Sequence, residues 1–331
     1  MGGHSIQSAP ERQGNVTMHK ATRRVVTRAP TRIDLGGGWT DVPPYCEREG
    51  GFVCNIAIDR HATATAATMD ADVVPSSDPL VAAAVRRSSL RSVRVSLESD
   101  FPVGAGLGGS AAASAATLGA LRAWHQGALD LCDIAEEGRV IEVEDLGVAG
   151  GRQDHYAATH GGALALTFTD SVEVRKIDLS EETRREFERR AMLVYTGESR
   201  ISGATITAVL DAYRAGESKV LNSLANMKNL ARLMADAVGS GDLDLLGRLV
   251  GEHWVYQRSL HPAIPTDRID RIAERAAAAG ACGSKAMGAS GGGTVLVIAA
   301  GDNVEQVRRA VLGLGTEVPF RLDLDGLVRL S

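Results

Sequence analysis

Three stretches of this sequence set glycine beside groups able to bind anions, accept protons or hold a cation. The densest is Pro102-Val-Gly-Ala-Gly-Leu-Gly-Gly-Ser110, between a strand-like segment and an Ala/Ser-rich helical one. Glycines let a backbone approach phosphates closely, and amides at a helix mouth hold anions through hydrogen bonds and the helix dipole. Ser110, at that mouth, has a hydroxyl to offer a phosphate-bound Mg2+. Two other readings fit the same residues: 104–109 satisfies the dinucleotide fingerprint G-x-G-x-x-G, and the stretch also reads as a plain glycine turn. A dinucleotide site wants its motif in the first βα turn of a parallel sheet, with an acidic residue ending the next strand. Here several strand segments come first, Pro102 interrupts the entry and Asp130 follows a helix, which favours the phosphate cradle. The absence of a Walker A lysine excludes a P-loop.

The second stretch, from Arg28 through Arg32 and Asp34 to Gly36-Gly37-Gly38-Trp39-Thr40-Asp41, flanks a loop nearly free of side chains with two guanidiniums and two carboxylates. Carboxylates accept hydrogen bonds from polyol hydroxyls, and arginine steadies a phosphate or a neighbouring carboxylate. The same residues also suit a tight turn with surface ion pairs. The third stretch is acidic, Ile141-Glu142-Val-Glu144, and breaks at Gly147, Gly150 and Gly151 to deliver Asp154 at the start of a helix. Asp154 there can take a proton from a hydroxyl. Glu142 or Glu144 can complete a Mg2+ site, which needs few protein oxygens. His155 reads as structural or surface, because neighbours on a helix face different ways.

The elements that must position these groups read as mixed α+β. Strand signals lie at 23–35, 51–69, 93–99, 162–168 and 191–196, with a turn expected at Ala29-Pro30. Helical segments follow at about 203–215, 219–239, 242–258 and 266–280. A buried strand at 293–300, a helix near 303–315 and a closing strand at 318–325 end the chain. Residues 1–22 are polar and without hydrophobic period, a frayed tail. The boundary expected near residue 190, after the charged run EETRREFERR, gives domains at 23–190 and 191–331.

The 331 residues are 44% hydrophobic and 23% charged, enough to bury a sizeable core. A net charge of −5 without a polybasic tract argues against nucleic acid as main partner. No apolar run approaches the roughly 20 residues of a membrane span, and the N-terminal segment lacks a signal-peptide core, so a cytoplasmic protein without a membrane partner is expected. Cys46, Cys54, Cys132 and Cys282 lack metal-ligand spacing and read as small buried hydrophobes.

Together the motifs resemble the GHMP kinase superfamily, named for galactokinase, homoserine kinase, mevalonate kinase and phosphomevalonate kinase. The match runs over nearly the whole chain from Arg24. PVGAGLGGSA is similar to that family's second motif, P-x-G-x-G-L-G-S-S-A, with Gly109 where a serine is usual, and Gly283–Gly293 is similar to its third. GGGWTD and Gly151-Arg152-Gln153-Asp154-His155-Tyr156-Ala157 resemble the sugar 1-kinase branch, which includes D-glycero-D-manno-heptose 7-phosphate kinase and fucokinase. Tyr195–Arg200 and GEHWVYQRSLHP add to that likeness.

The resemblance implies a ribosomal protein S5 domain 2-like N-terminal domain and a ferredoxin-like C-terminal domain, with ATP and sugar between them. It implies Asp154 as general base, Arg32 as its electrostatic partner, Ser110 and Glu142 as Mg2+ ligands with Glu144 in reserve, and Pro102, Gly104, Gly106, Leu107, Gly108, Gly109, Ser110 and Ala111 at the nucleotide. The sugar set it implies is Arg28, Asp34, Gly37, Gly38, Trp39, Thr40, Asp41, Gly151, Gln153, Tyr195, Arg200, Gly291 and Gly292. Glu142 is also readable as a solvated charge, Trp39 as packing and Lys285 as a helix cap. The expected activity is ATP- and Mg2+-dependent phosphorylation of the anomeric hydroxyl of a heptose 7-phosphate or octose 8-phosphate. A fucose-type hexose kinase, a non-catalytic sugar sensor and a nicotinamide dehydrogenase are the rivals. A remote phosphate would call on Arg28, Arg152, Arg200 or Arg258. A homodimer is compatible with the sequence.

Overall fold

The computed structural model describes residues 23–68, 76–198 and 203–331, so the expected tail at 1–22 lies outside the described residues. Two long β-rich segments build the first sheet. Strand β1 (Arg24–Gly36) pairs antiparallel with β2 (Gly51–Thr68) from Arg24↔Ala67 to Gly36↔Cys54, the short helix α1 (Tyr45–Glu49) standing between them in sequence. The turn expected at Ala29-Pro30 is instead a register shift between Pro30 and Thr31. Proline has no N–H for the ladder, and an irregularity absorbs that loss without ending the strand.

Helix α2 (Pro79–Ser88) leads to β3 (Val93–Ser99), which pairs with the far half of β2, while β4 (Ala163–Phe168) pairs with its near half and β5 (Val172–Ile177) lies beyond. Helices α3 (Gly109–Trp124), α4 (Leu131–Val140) and α5 (Gln153–His160) cover one face of this sheet. Ala111, Ala112, Ala115 and Ala116 let α3 lie close to the strands, close enough for Thr27 Oγ1 to donate to Ala116 O at 2.6 Å.

Helix α6 (Glu181–Arg190) runs straight into β6 (Ala191–Tyr195), which opens a second antiparallel sheet. Helices α7 (Gly203–Arg214), α8 (Ser218–Ser240), α9 (Leu243–Ser259) and α10 (Asp267–Ala278) follow, close to their expected limits. With β7 (Ala281–Ala286), β8 (Thr294–Ala299), α11 (Val304–Val311) and β9 (Thr316–Glu317), the sheet order becomes β7-β8-β6-β9. Met234 and Ala231 of α8 and Val250 of α9 sit in one core with Ile33 and Ile56 of the first sheet and Leu193 and Leu296 of the second.

The closing strand expected at 318–325 does not form. After β9 a single bridge joins Leu322 to Ile58, Asp323 turns the chain by accepting the amides of Asp325 and Gly326, and β10 (Val328–Arg329) returns to pair with β1. No helix among the described residues is long and apolar enough to cross a membrane.

Candidate active site

The loop between β3 and α3 lines one side of a cleft of about 660 Å³, whose other walls come from the loop after β1, the start of α5 and the glycine stretch after β7. Gly104, Gly106 and Gly108 have φ of 72°, 75° and 74°, and Gly108 caps α3 with no side-chain hydrogen bond, which leaves the first amides of that helix for a ligand. Pro102, Gly104, Gly106, Leu107, Gly108, Gly109 and Ser110 all border the cleft, whereas Ala111 is buried behind them. Gly109 has a local correlate: a Cβ there would lie 2.4 Å from the ring of Phe101, so a serine at this place would require that ring to move. The strand leading into this loop pairs antiparallel with β2, so the loop is not the first turn of the parallel βαβ unit that a dinucleotide fingerprint requires.

Opposite the loop, Asp154 stands in the first turn of α5. Arg32 Nε and Nη2 each lie 2.7 Å from Asp154 Oδ1, while Arg32 Nη1 donates to Gly106 O at 2.7 Å. One guanidinium thereby ties the aspartate to the glycine loop. Arg32 is nearly sealed at 4% side-chain exposure, and Asp154 is 29% exposed, toward the cleft.

Glu142 lies in a π-helical turn, Ile141–Asp145, that continues from α4. A π turn carries an extra residue and re-aims its side chains. Glu142 Oε1 accepts from Ser110 Oγ at 2.7 Å, and Oε2 lies 3.0 Å from His155 Nε2. Burial acts to raise this carboxyl, but the bonds from His155 and Ser110 and the charge of Arg32 outweigh it and hold it below its usual value. Glu144 is 65% exposed and lies 3.8 Å from Arg87, away from the cleft. His155, read from sequence as structural or surface, is buried and positions Glu142. The only hint in the sequence was its place one residue from Asp154.

At the other end, Asp34, Gly38, Trp39, Asp41, Gly151, Gln153 and Gly292 border the cleft. A Cβ on Gly38 would lie 2.4 Å from Asp34 Oδ2 and 2.8 Å from Gln153 Nε2, so only glycine lets these polar groups converge. Asp41 accepts the Gln153 amide at 3.0 Å. Burial, with the charges of Asp154 and Asp34 acting the same way against that hydrogen bond, pushes the Asp41 carboxyl up to about 6. Trp39 is both a packing residue and part of the cleft wall. It packs with Tyr45, Val209 and Tyr213 and also borders the cleft, with φ of 80° and its indole N–H without an acceptor.

Several expected sugar contacts stand elsewhere. Thr40 spends its hydroxyl on Gly37 O at 2.7 Å, and Gly37 gives its amide to His253 Nε2 at 2.9 Å, both behind the lining. Gly291 is buried and donates to Ile264 O at 2.8 Å. Tyr195 pairs with Thr294 and Thr316 in the second sheet, and Arg28 sits in the middle of β1 opposite Thr63. None of these five borders the cleft. Arg200 lies outside the described residues. Lys285 neither caps a helix nor faces the cleft; it is a buried member of β7 whose Nζ reaches Asp34.

The models of the N-terminal and C-terminal domains of GHMP kinases match residues 79–162 and 229–315. The chain belongs to the GHMP kinase family. It has the two-domain fold of that family and is a phosphotransferase with an alcohol group as acceptor. It is 27% identical over 300 residues to the D-glycero-alpha-D-manno-heptose 7-phosphate kinase of Campylobacter jejuni, covering 82% of this chain and 88% of that one. It is 29% identical over 329 residues to the L-fucokinase/L-fucose-1-P guanylyltransferase of Bacteroides fragilis, a match over 82% of this GHMP kinase but 34% of that longer protein. Among solved structures, a D-glycero-D-manno-heptose 1-phosphate kinase from Bacteroides thetaiotaomicron superposes with a TM-score of 0.76 at 24% identity, covering 93% of this chain and 99% of that one, a likeness of fold.

Proposed function

We propose that this GHMP kinase is an ATP- and Mg2+-dependent sugar kinase that phosphorylates the anomeric hydroxyl of a higher sugar already phosphorylated at its far end, a heptose 7-phosphate or an octose 8-phosphate. The observation that carries the reading is the placement of Asp154. One of its oxygens is held by Arg32 and the side chain faces a cleft with a phosphate cradle on one side and a carboxylate-and-amide cluster on the other.

The chemistry follows from those positions. The amides of Gly104 to Ser110 and the mouth of α3 hold the phosphates of ATP. Asp34, Asp41 and Gln153 take sugar hydroxyls, and the C1 hydroxyl lies against the free oxygen of Asp154, which receives its proton as the new O–P bond forms to the γ-phosphorus and the bond from that phosphorus to the bridging oxygen breaks, releasing ADP. Because phosphoryl transfer rests mainly on positioning and charge neutralisation, Asp154 orients as much as it deprotonates. Ser110 and Glu142 would hold the Mg2+, two oxygens being enough for an ion that keeps water and phosphate as its other ligands. Bound there, the ion would neutralise charge on the phosphates. Arg28, Arg152 and Arg258 are unsuited to a remote phosphate, since none of them borders the cleft and Arg258 is paired with Asp270 at 2.9 Å. Arg200, in the sequence just ahead of the cleft residue Gly203, is the best candidate.

One observation favours a second reading. Among the described residues Arg32 is the one Lys or Arg bordering the cleft, which suits an unphosphorylated hexose of the fucose type. We further propose that residues 23–190 and 191–331 are the two domains, the last segment of the second crossing back to the first sheet as β10.

A coupled ADP-release assay with Mg-ATP across D-glycero-D-manno-heptose 7-phosphate, an octose 8-phosphate, fucose, galactose and mevalonate tests the reading. Turnover of a sugar phosphate is expected, reduced about 10²- to 10⁴-fold in Asp154→Asn. Turnover of fucose alone selects the second reading, and no turnover in any arm rejects both.

A further inference from the structure

Among the described residues Lys285 is the largest fully buried charged side chain, and the chemistry above gives it no task. It is 0% exposed, and its Nζ lies 3.1 Å from Asp34 Oδ2, 2.8 Å from Asp34 O and 3.4 Å from Leu35 O. An ammonium has three protons, and all three point at acceptors of β1. Lys285 itself belongs to β7, in the other sheet. A charge so far from water persists only where its protons and its sign are matched, so this contact fixes where β1 and β7 stand relative to each other.

The same contact leaves Asp34 half used. Its Oδ2 is taken by Lys285, whereas Oδ1 is buried without a hydrogen-bond partner, on a residue that borders the cleft beside Gly38. A buried carboxylate oxygen without a donor is unfavourable, which makes the Lys285 contact the one that holds this carboxylate in place. His253 of α9 reaches the same loop, its Nε2 accepting the Gly37 amide at 2.9 Å.

We propose that Lys285 is a positioning residue for sugar recognition: by holding Asp34 from the second domain, it fixes that carboxylate in the cleft wall, where it is the acceptor for a sugar hydroxyl. The inference rests on the reading of the protein as a sugar kinase. It makes hydroxyl recognition depend on the docking of the two domains, although Asp34 lies in the first. The groups facing Asp34 are Lys285 from β7, His253 from α9, Arg32 from β1, Cys54 from β2 and Asp41 from the loop. Burial acts to raise the Asp34 carboxyl, and Lys285, ahead of Arg32, brings it below its ordinary value. Burial in turn pulls Lys285 down against the charge of Asp34.

The test compares wild type, Asp34→Asn, Lys285→Met and the double variant, which removes both charges and so folds even where Lys285→Met alone, with an uncompensated carboxylate, does not. Two quantities are read: KM for the sugar turned over best and for Mg-ATP, and the pH titration of the Asp34 carboxyl carbon by 13C NMR, assigned by its loss in Asp34→Asn. Each single variant should raise the sugar KM about tenfold or more, the double variant no further than the worse single one, and the KM for Mg-ATP should stay within about twofold. The Asp34 carboxyl should remain ionised to lower pH in wild type than in Lys285→Met. Losses that multiply in the double variant, or an equal rise in the KM for Mg-ATP, overturn the inference. If wild type turns over no sugar, the kinase reading fails separately, and the carboxyl titration decides: a shift in Lys285→Met upholds the control of Asp34 by Lys285, and identical titrations overturn it.

Discussion

Asp41 shows how the cleft keeps an acceptor in reserve. With almost no exposure and two carboxylates nearby, its charged form is disfavoured, and its carboxyl is pushed up to about 6 from 3.8. The native state therefore binds a proton that the unfolded chain releases between those values. Stability falls as pH rises from about 4 to about 6, by up to about 3 kcal/mol, and stays reduced above. Asparagine keeps an oxygen for the Gln153 amide and does not titrate. Asp41→Asn should thus gain on wild type across that window and hold a lead of about 2 to 3 kcal/mol at pH 7.5 in urea unfolding. A stability difference that is flat from pH 4.5 to pH 8 would show that the carboxyl is not held protonated. The lead also measures what sugar hydroxyls stand to relieve, because donors arriving at Asp41 favour the ionised form.

At the scale of elements, much was readable and the exceptions have identifiable causes. Helices α8, α9 and α10 carry regular apolar periods, α8 ends at Gly241 in a left-handed conformation, and Asp242 and Thr266 cap α9 and α10 by accepting the amides of Leu245 and Ile269, so their limits follow from local chemistry. The glycine loops were legible for a similar reason, since several of their glycines sit at positive φ or where a Cβ would collide. The π turn at Ile141–Asp145 was not, because it depends on partners brought from α3 and α5. His155 and Lys285 escaped for the same reason: a buried histidine and a buried lysine take their tasks from residues distant in sequence. If the extra residue of the π turn is what turns Glu142 toward Ser110, deleting Val143 should restore an α-helical register and move that carboxylate away. The Mg2+ concentration for half-maximal rate should rise about tenfold or more, with little change in sugar KM. An unaltered Mg2+ requirement would show that the turn is incidental to Glu142.

The molecule as a whole joins its sheets more closely than a two-domain chain need do. Helices α8 and α9 place apolar side chains in one core shared by both sheets, Lys285 ties β7 to β1, and β10 returns the end of the chain to the first sheet after β9 has joined the second. Leu327, beside β10, packs against Gly119 of α3, so the return is sealed by burial as well as by hydrogen bonds. Domains linked only by a small polar interface unfold separately, whereas a shared apolar core makes the loss of one half expose the other. Thermal unfolding followed by near-ultraviolet and far-ultraviolet dichroism should therefore give one coincident transition. Because the cleft is walled by both halves, a ligand in it stabilises both: Mg-ATP at 100 times its Kd adds about 2.7 kcal/mol, which for a chain of this size raises Tm by about 4 °C. The rise should appear in both probes together. Two separated transitions, only one of which moves with Mg-ATP, would mean that the shared core does not couple the halves, and that hydroxyl recognition from the second domain has to be assembled anew in each binding event.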